Sequence, residues 1–136
     1  MIVDANIVVK WFVTEDDSRV ALGVRIQGNL AAPDIMLVEY RNALLNKVRR
    51  RAISIAEAQR AEREIDDVGI TIIPSQPLLG HGFQLALDLG EPIYDCIYLA
   101  AAIATDRIFI TADEKFAAKV SASNVGHDRI KLLSSL

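Results

Sequence analysis

Short apolar runs recur along this chain: MIV (1–3), LAAP (30–33), ITIIP (70–74), RIFITAD (107–113) and RIKLLS (129–134). Between them lie segments with apolar residues at helical spacing: NIVVKWF from Asn6, then 15–27, 34–51, 54–68, 78–90, about 92–104, and EKFAAKV from Glu114. Strands that alternate with helices in this way specify a parallel sheet covered on both faces. Local punctuation agrees with these boundaries. Asp34 stands at an N-cap position, Ser54 and Glu57 form a capping-box pair, Gly28, Gly69 and Gly90 interrupt helical patterns, and Pro92 opens the helix that follows it.

A length of 136 residues suits one domain, 1–136, with its own core, and 51% apolar against 24% charged residues excludes a disordered or fibrous chain. The N-terminus lacks a basic stretch followed by an apolar one, and AAAIA (100–104) is too short to cross a bilayer. The lone Cys96 excludes an internal disulfide and reads as a small buried hydrophobe, which fits a reducing, cytoplasmic setting. Charge is unevenly spread. Residues 40–63 hold seven cations and two anions, a net of +5 in a chain of net −3, leaving −8 elsewhere. One region therefore suits phosphates, or is simply a solvated helix face, while another concentrates carboxylates.

In parallel α/β sheets ligands bind beyond the carboxyl ends of the strands. Asp4 ends the first strand and Asp113 follows the strand that closes near Thr111, so both lie at that edge. Glu39 is little more than one turn into the helix after LAAP, and Asp95 is in the first turn of the helix from Pro92. Four unpaired carboxylates at one edge repel one another and raise each other's pKa values, a conflict that a divalent cation resolves. Each also has a structural alternative: Asp4 as a helix cap, Asp95 and Asp113 as acids at a helix dipole, Glu39 as an ordinary surface residue. Thr111 and Glu114 fit a capping box that leaves Asp113 free. An all-oxygen set, with neither His81 nor His127 at ligand spacing, selects Mg²⁺ or Mn²⁺ over zinc, and water activated by such an ion attacks phosphorus.

Taken in order, MIVDANIVVKWF, APDIMLVEYRNAL, PIYDCIYLAAA and FITADEKF resemble the PIN domain, and closely the VapC-type toxins of toxin–antitoxin pairs, over essentially the whole chain. The resemblance implies a five-stranded parallel α/β/α sandwich, usually a homodimer. It implies an endoribonuclease that leaves 5′-phosphate and 3′-hydroxyl ends, and a VapB-type antitoxin whose C-terminal segment blocks the site. Carried over, Asp4, Glu39, Asp95 and Asp113 match the acidic quartet that holds Mg²⁺ or Mn²⁺, Asn6 the small polar residue after the first aspartate, and Thr111 the hydroxyl before the last; Asn42 is a supporting neighbour of Glu39. Lys47, Arg49, Arg50 and Arg51, near the junction of two helices, are the RNA-binding candidates. Lys10, Trp11 and Phe12 are candidates for an antitoxin contact, with core packing the alternative for the two aromatics. The runner-up function is a PIN-fold module that binds RNA or protein without cutting. A phosphoacceptor receiver domain lacks its central-strand aspartate in ITIIPS, and a haloacid-dehalogenase-type phosphatase requires a second aspartate where DAN has Asn6.

Overall fold

The structure, a computed structural model, describes all 136 residues. Five strands, β1 (Ile2–Val3), β2 (Ala31–Pro33), β3 (Thr71–Ile73), β4 (Phe109–Thr111) and β5 (Ile130–Leu132), form one sheet. Seven helices flank it: α1 (Ala5–Val9), α2 (Ser18–Gln27), α3 (Ile35–Arg49), α4 (Ile55–Glu64), α5 (Leu79–Leu89), α6 (Ile93–Ala104) and α7 (Glu114–Ser121). The order is β3-β2-β1-β4-β5 with every pairing parallel, and Ile2 sits opposite both Ala31 and Phe109. This is the expected α/β/α sandwich with a five-stranded parallel sheet. The chain winds outward from β1 through β2 to β3, then returns to β1's other side with β4. A crevice must therefore open beyond the carboxyl ends of β1 and β4, at the topological switch point.

The three central strands are wholly buried, which accounts for their unbroken apolar runs. Beyond its first turn, helix α6 is apolar on nearly all sides because the sheet covers one face and α5 the other, and Cys96–Ala102 are all buried. A Cβ at Gly82 would stand 3.1 Å from Ile97 Cγ1, so α5 approaches α6 closely only because that position has no side chain. Phe109 stacks on Tyr98, with ring centroids 5.5 Å apart, and meets Phe116 edge-on at 6.3 Å. Trp11 is core: its indole donates to the Ala21 carbonyl at 2.7 Å. Phe12 packs edge-on against Tyr40 with the Arg25 guanidinium over its other side.

Several local expectations are corrected. The helix expected over 15–27 starts at Ser18, because Asp17 is left-handed (φ 64°), the Ser18 hydroxyl accepts from the Glu15 N–H, and the Glu15 carboxylate is drawn to Lys10 and Lys47. Asp34 does not cap α3. Its own N–H extends the sheet by donating to Ile73 O at 2.9 Å, and this turns its carboxylate toward Ser75, whose N–H and hydroxyl it accepts. The helix expected over 54–68 tightens into a 3₁₀ turn at Ile65–Asp67, and Pro92 caps α6 from outside. Half of the Ser54–Glu57 capping box forms: the Glu57 N–H donates to the Ser54 hydroxyl at 3.1 Å, while the Glu57 carboxylate accepts that hydroxyl instead of the Ser54 N–H.

Candidate active site

Asp4 leaves the central strand directly into α1 and is 5% exposed. One carboxylate oxygen, Oδ1, accepts the Ile7 N–H at 2.9 Å, and the other, Oδ2, accepts the Thr111 hydroxyl at 3.1 Å. Asp4 is thus a helix cap, as one alternative held, yet the rest of its setting penalises its charge. Burial, reinforced by the nearby Asp95 and Glu39 carboxylates, outweighs both hydrogen bonds and pushes its pKa up to about 7. A residue needed only to cap α1 has no reason to be an acid held this close to neutrality.

Glu39 points from the second turn of α3 into the same crevice. It is half-buried, which raises its pKa, and the Tyr98 hydroxyl donates to its Oε1 at 2.9 Å. Asp95, in the first turn of α6, has its pKa raised to about 6 by burial first and then by Asp113, Glu39 and Glu91. A cleft of about 200 Å³ is lined by Asp4, Glu39 and Asp95 together with Asn6, Asn42, Asn46 and Tyr98, and no lysine or arginine faces it. Asp113 stands apart from that lining. It is exposed, acts on Asp95 through space, and is tied to Asp4 through Thr111, whose hydroxyl accepts the Asp113 N–H at 3.1 Å.

The expected capping box at Thr111 and Glu114 is not what forms. Asp113 itself caps α7, its Oδ1 accepting the Phe116 N–H at 2.9 Å. Thr111 ends a strand, so its hydroxyl is spent linking Asp4 to the Asp113 backbone and cannot reach the α7 amides.

No three acidic, imidazole or thiol side chains stand close enough to close a direct ligand shell. The donor chemistry nonetheless fits a hard divalent cation: oxygen ligands only, three acids with raised pKa values, and no competing cation in the cleft. Wider spacing suits Mg²⁺ or Mn²⁺ in particular, since Mg²⁺ keeps several of its waters when held by a few carboxylates.

Two residues escaped the sequence reading. Tyr98 follows Asp95 by three positions, one helical turn, and orients Glu39. Asn46 continues the stripe Glu39, Asn42, Asn46 along α3 at steps of three and four; that period was the available signal. Among the basic candidates, Arg49, Arg50 and Arg51 are exposed at the end of α3. Arg51 takes the left-handed position (φ 58°) where glycine usually closes a helix, with the Ala52 N–H donating to Lys47 O at 2.9 Å. Lys47 is largely buried, its side chain 12% exposed, and paired with Glu15. His81 and His127 are exposed and remote from the carboxylates' cleft.

A crystal structure of PAE2754 from Pyrobaculum aerophilum superposes on 98% of this chain and 83% of its own, with TM-score 0.72 and 19% identity. A toxin–antitoxin complex from Klebsiella pneumoniae superposes on 97% of this chain and 96% of its own, with TM-score 0.64 and 18% identity. At such identities both show a shared fold. No curated protein matches the sequence. The profile of the PIN domain matches residues 1–120, stopping short of β5, which the structure joins to β4. The chain belongs to the PIN domain family.

Proposed function

We propose that the protein is a VapC-type toxin, an endoribonuclease that hydrolyses RNA phosphodiester bonds with Mg²⁺ or Mn²⁺. The observation that carries this reading is the cleft at the β1/β4 switch point, where Asp4 and Asp95 are held near neutrality by burial and by the other carboxylates. Asp4, Glu39, Asp95 and Asp113 would hold the ion, some of them through its waters. When bound, the ion makes a water acidic enough to attack phosphorus and offsets the charge that builds on the phosphate.

The protein's own groups divide the remaining work. The Ile7 N–H and the Thr111 hydroxyl fix the Asp4 carboxylate plane, and Thr111 couples it to the Asp113 backbone. Tyr98 holds Glu39 by Oε1 at the wall of the cleft, where an acid of raised pKa is suited to accept a proton from the attacking water. The Asn6, Asn42 and Asn46 amides offer donors to ribose and phosphate oxygens. Arg49, Arg50 and Arg51, fanned around the left-handed end of α3, supply the charge that a polyanion needs.

Two further surfaces support the partners implied by this reading. The largest hollow on the molecule, about 740 Å³, lies away from the carboxylates, between α3 and α4. It is floored by Leu44, Leu45, Val48, Ile55 and Ala58, with Arg63 and an Arg41 already paired to Glu62 on its rim. An amphipathic segment of a VapB-type antitoxin would bury its apolar face there and meet arginines with acidic residues. On α5, Leu79, Phe83 and Leu87 are 43%, 58% and 62% exposed at intervals of four, with Tyr94 at 60% beside them, an apolar face suited to a homodimer. No helix is long and apolar enough to cross a membrane.

The test is incubation of antitoxin-free protein with total RNA in Mg²⁺, Mn²⁺ or EDTA, beside an Asp95→Asn variant. Discrete fragments with 5′-phosphate ends that need metal and vanish in the variant are expected. Intact RNA under every metal, from folded protein, would leave the non-catalytic binding module as the better account.

A further inference from the structure

A second hollow, of about 210 Å³, adjoins the acidic cleft and shares Asn6, Ala43 and Asn46 with it, but its charge is of opposite sign. Lys47, Arg50 and Glu15 line it, and Lys10 reaches the same carboxylate: Glu15 pairs with Lys47 through Oε1 and with Lys10 through Oε2 at 3.4 Å. We propose that this hollow is a phosphate subsite for the RNA strand, and that in the free protein the Glu15 carboxylate occupies it as an internal stand-in which the phosphate displaces. The proposal rests on the RNA-cleaving function above and adds where the strand runs and what guards its path.

Three observations support it. Two lysines pair with the one carboxylate and Arg50 lines the same hollow, so the hollow keeps an excess of positive charge that Glu15 alone does not neutralise. The two lysine side chains are only 13% and 12% exposed, and burial together with Arg50 and Lys10 lowers the Lys47 pKa; desolvated ammonium groups of this kind gain from a further anion. Glu15 lies in the non-helical segment between α1 and α2, where the Ser18 hydroxyl holds its N–H and the two lysines are the only polar partners of its carboxylate. The carboxylate can leave without breaking a helix or strand.

Location favours a nucleic acid over an acidic peptide. RNA carries one phosphate per nucleotide, so a strand with one phosphodiester over the acidic cleft must set the next phosphate nearby, and the Asn6 and Asn46 amides span the boundary between the two hollows. An acidic peptide has no comparable reason to lie across the three carboxylates that line that cleft.

The experiment measures binding of a labelled single-stranded RNA by fluorescence anisotropy, in EDTA to prevent turnover, across a series of KCl concentrations. Glu15→Gln should bind roughly five-fold more tightly, as expected for removing one repulsive charge at contact distance. Lys47→Met and Arg50→Gln should weaken binding, each lowering the slope of log K against log salt by about 0.7. Arg50 is exposed, so its variant keeps the test valid if Lys47→Met melts early. Glu15→Gln binding no more tightly than the parent, or unchanged slopes in the two cation variants, overturns the proposal, as does a glutamate-rich peptide that responds to these variants while RNA does not. Cleavage of RNA without this pattern removes the subsite alone; the pattern without cleavage in Mn²⁺ removes the nuclease and keeps the subsite.

Discussion

Replacing Asp4 by Asn separates a cap from a ligand. Asn caps a helix about as well as Asp, and its amide oxygen can accept the Ile7 N–H as Oδ1 does. What the substitution removes is charge, while the amide NH₂ that takes the place of Oδ2 donates to the Thr111 hydroxyl instead of accepting from it. Asp4 keeps its proton in the metal-free fold up to about pH 7 but releases it near 3.8 in the unfolded chain, so the fold loses stability as pH rises through that interval. The full shift corresponds to about 4 kcal/mol, and relaxation with water entering the cleft brings the realistic figure to about 2 kcal/mol. In EDTA at pH 8, Asp4→Asn should therefore melt roughly 6–8 °C above the parent by calorimetry or circular dichroism. At pH 4.5 the parent's Asp4 is protonated when folded, and the gap should close to about 2 °C. Equal melting temperatures at both pH values would refute the reasoning, because the Asp4 carboxylate would then carry no penalty for a metal to relieve.

Tyr98→Phe removes the hydroxyl that holds Glu39 and leaves the ring stack on Phe109 intact; it should cost about 1 kcal/mol of stability and 10- to 100-fold in Mn²⁺ affinity or cleavage rate, read by melting and by initial rates. An unchanged rate would deny Glu39 its place in the site. Phe83→Glu, on the exposed face of α5, should convert a dimer into a monomer by analytical ultracentrifugation with little change in melting of the monomer unit; a sedimentation coefficient that does not move places the dimer contact elsewhere.

Much of this architecture is legible in the residues themselves, for identifiable reasons. A strand buried on both faces is an unbroken apolar run, so MIV, the Asp4 that ends it and the switch-point edge follow from pattern. Asp95 stands out because a charged residue in PIYDCIYLAAA has few ways to be accommodated. Capping was harder to read. The spacing of three that makes a capping box occurs twice near β4, as Thr111–Glu114 and as Asp113–Phe116, and only the direction of the chain leaving the strand decides between them. Asp34 departs for a similar reason: its backbone is already helical rather than extended as at a usual N-cap, and its carboxylate is taken by Ser75. Side-chain pairings across elements, such as Tyr98 with Glu39 or Glu15 with Lys47, join residues 59 and 32 positions apart, and no local period reports them.

The function proposed for the β1/β4 crevice requires its carboxylates to bind a divalent cation. Calorimetric titration of Mn²⁺ into antitoxin-free protein at pH 7.5, beside Asp4→Asn and Asp95→Asn, asks this directly. Saturable binding that both substitutions abolish, and that weakens on acidification to pH 5.5 as Asp4 and Asp95 take up protons, is the predicted result. Absent binding, or binding that survives both substitutions, would contradict it.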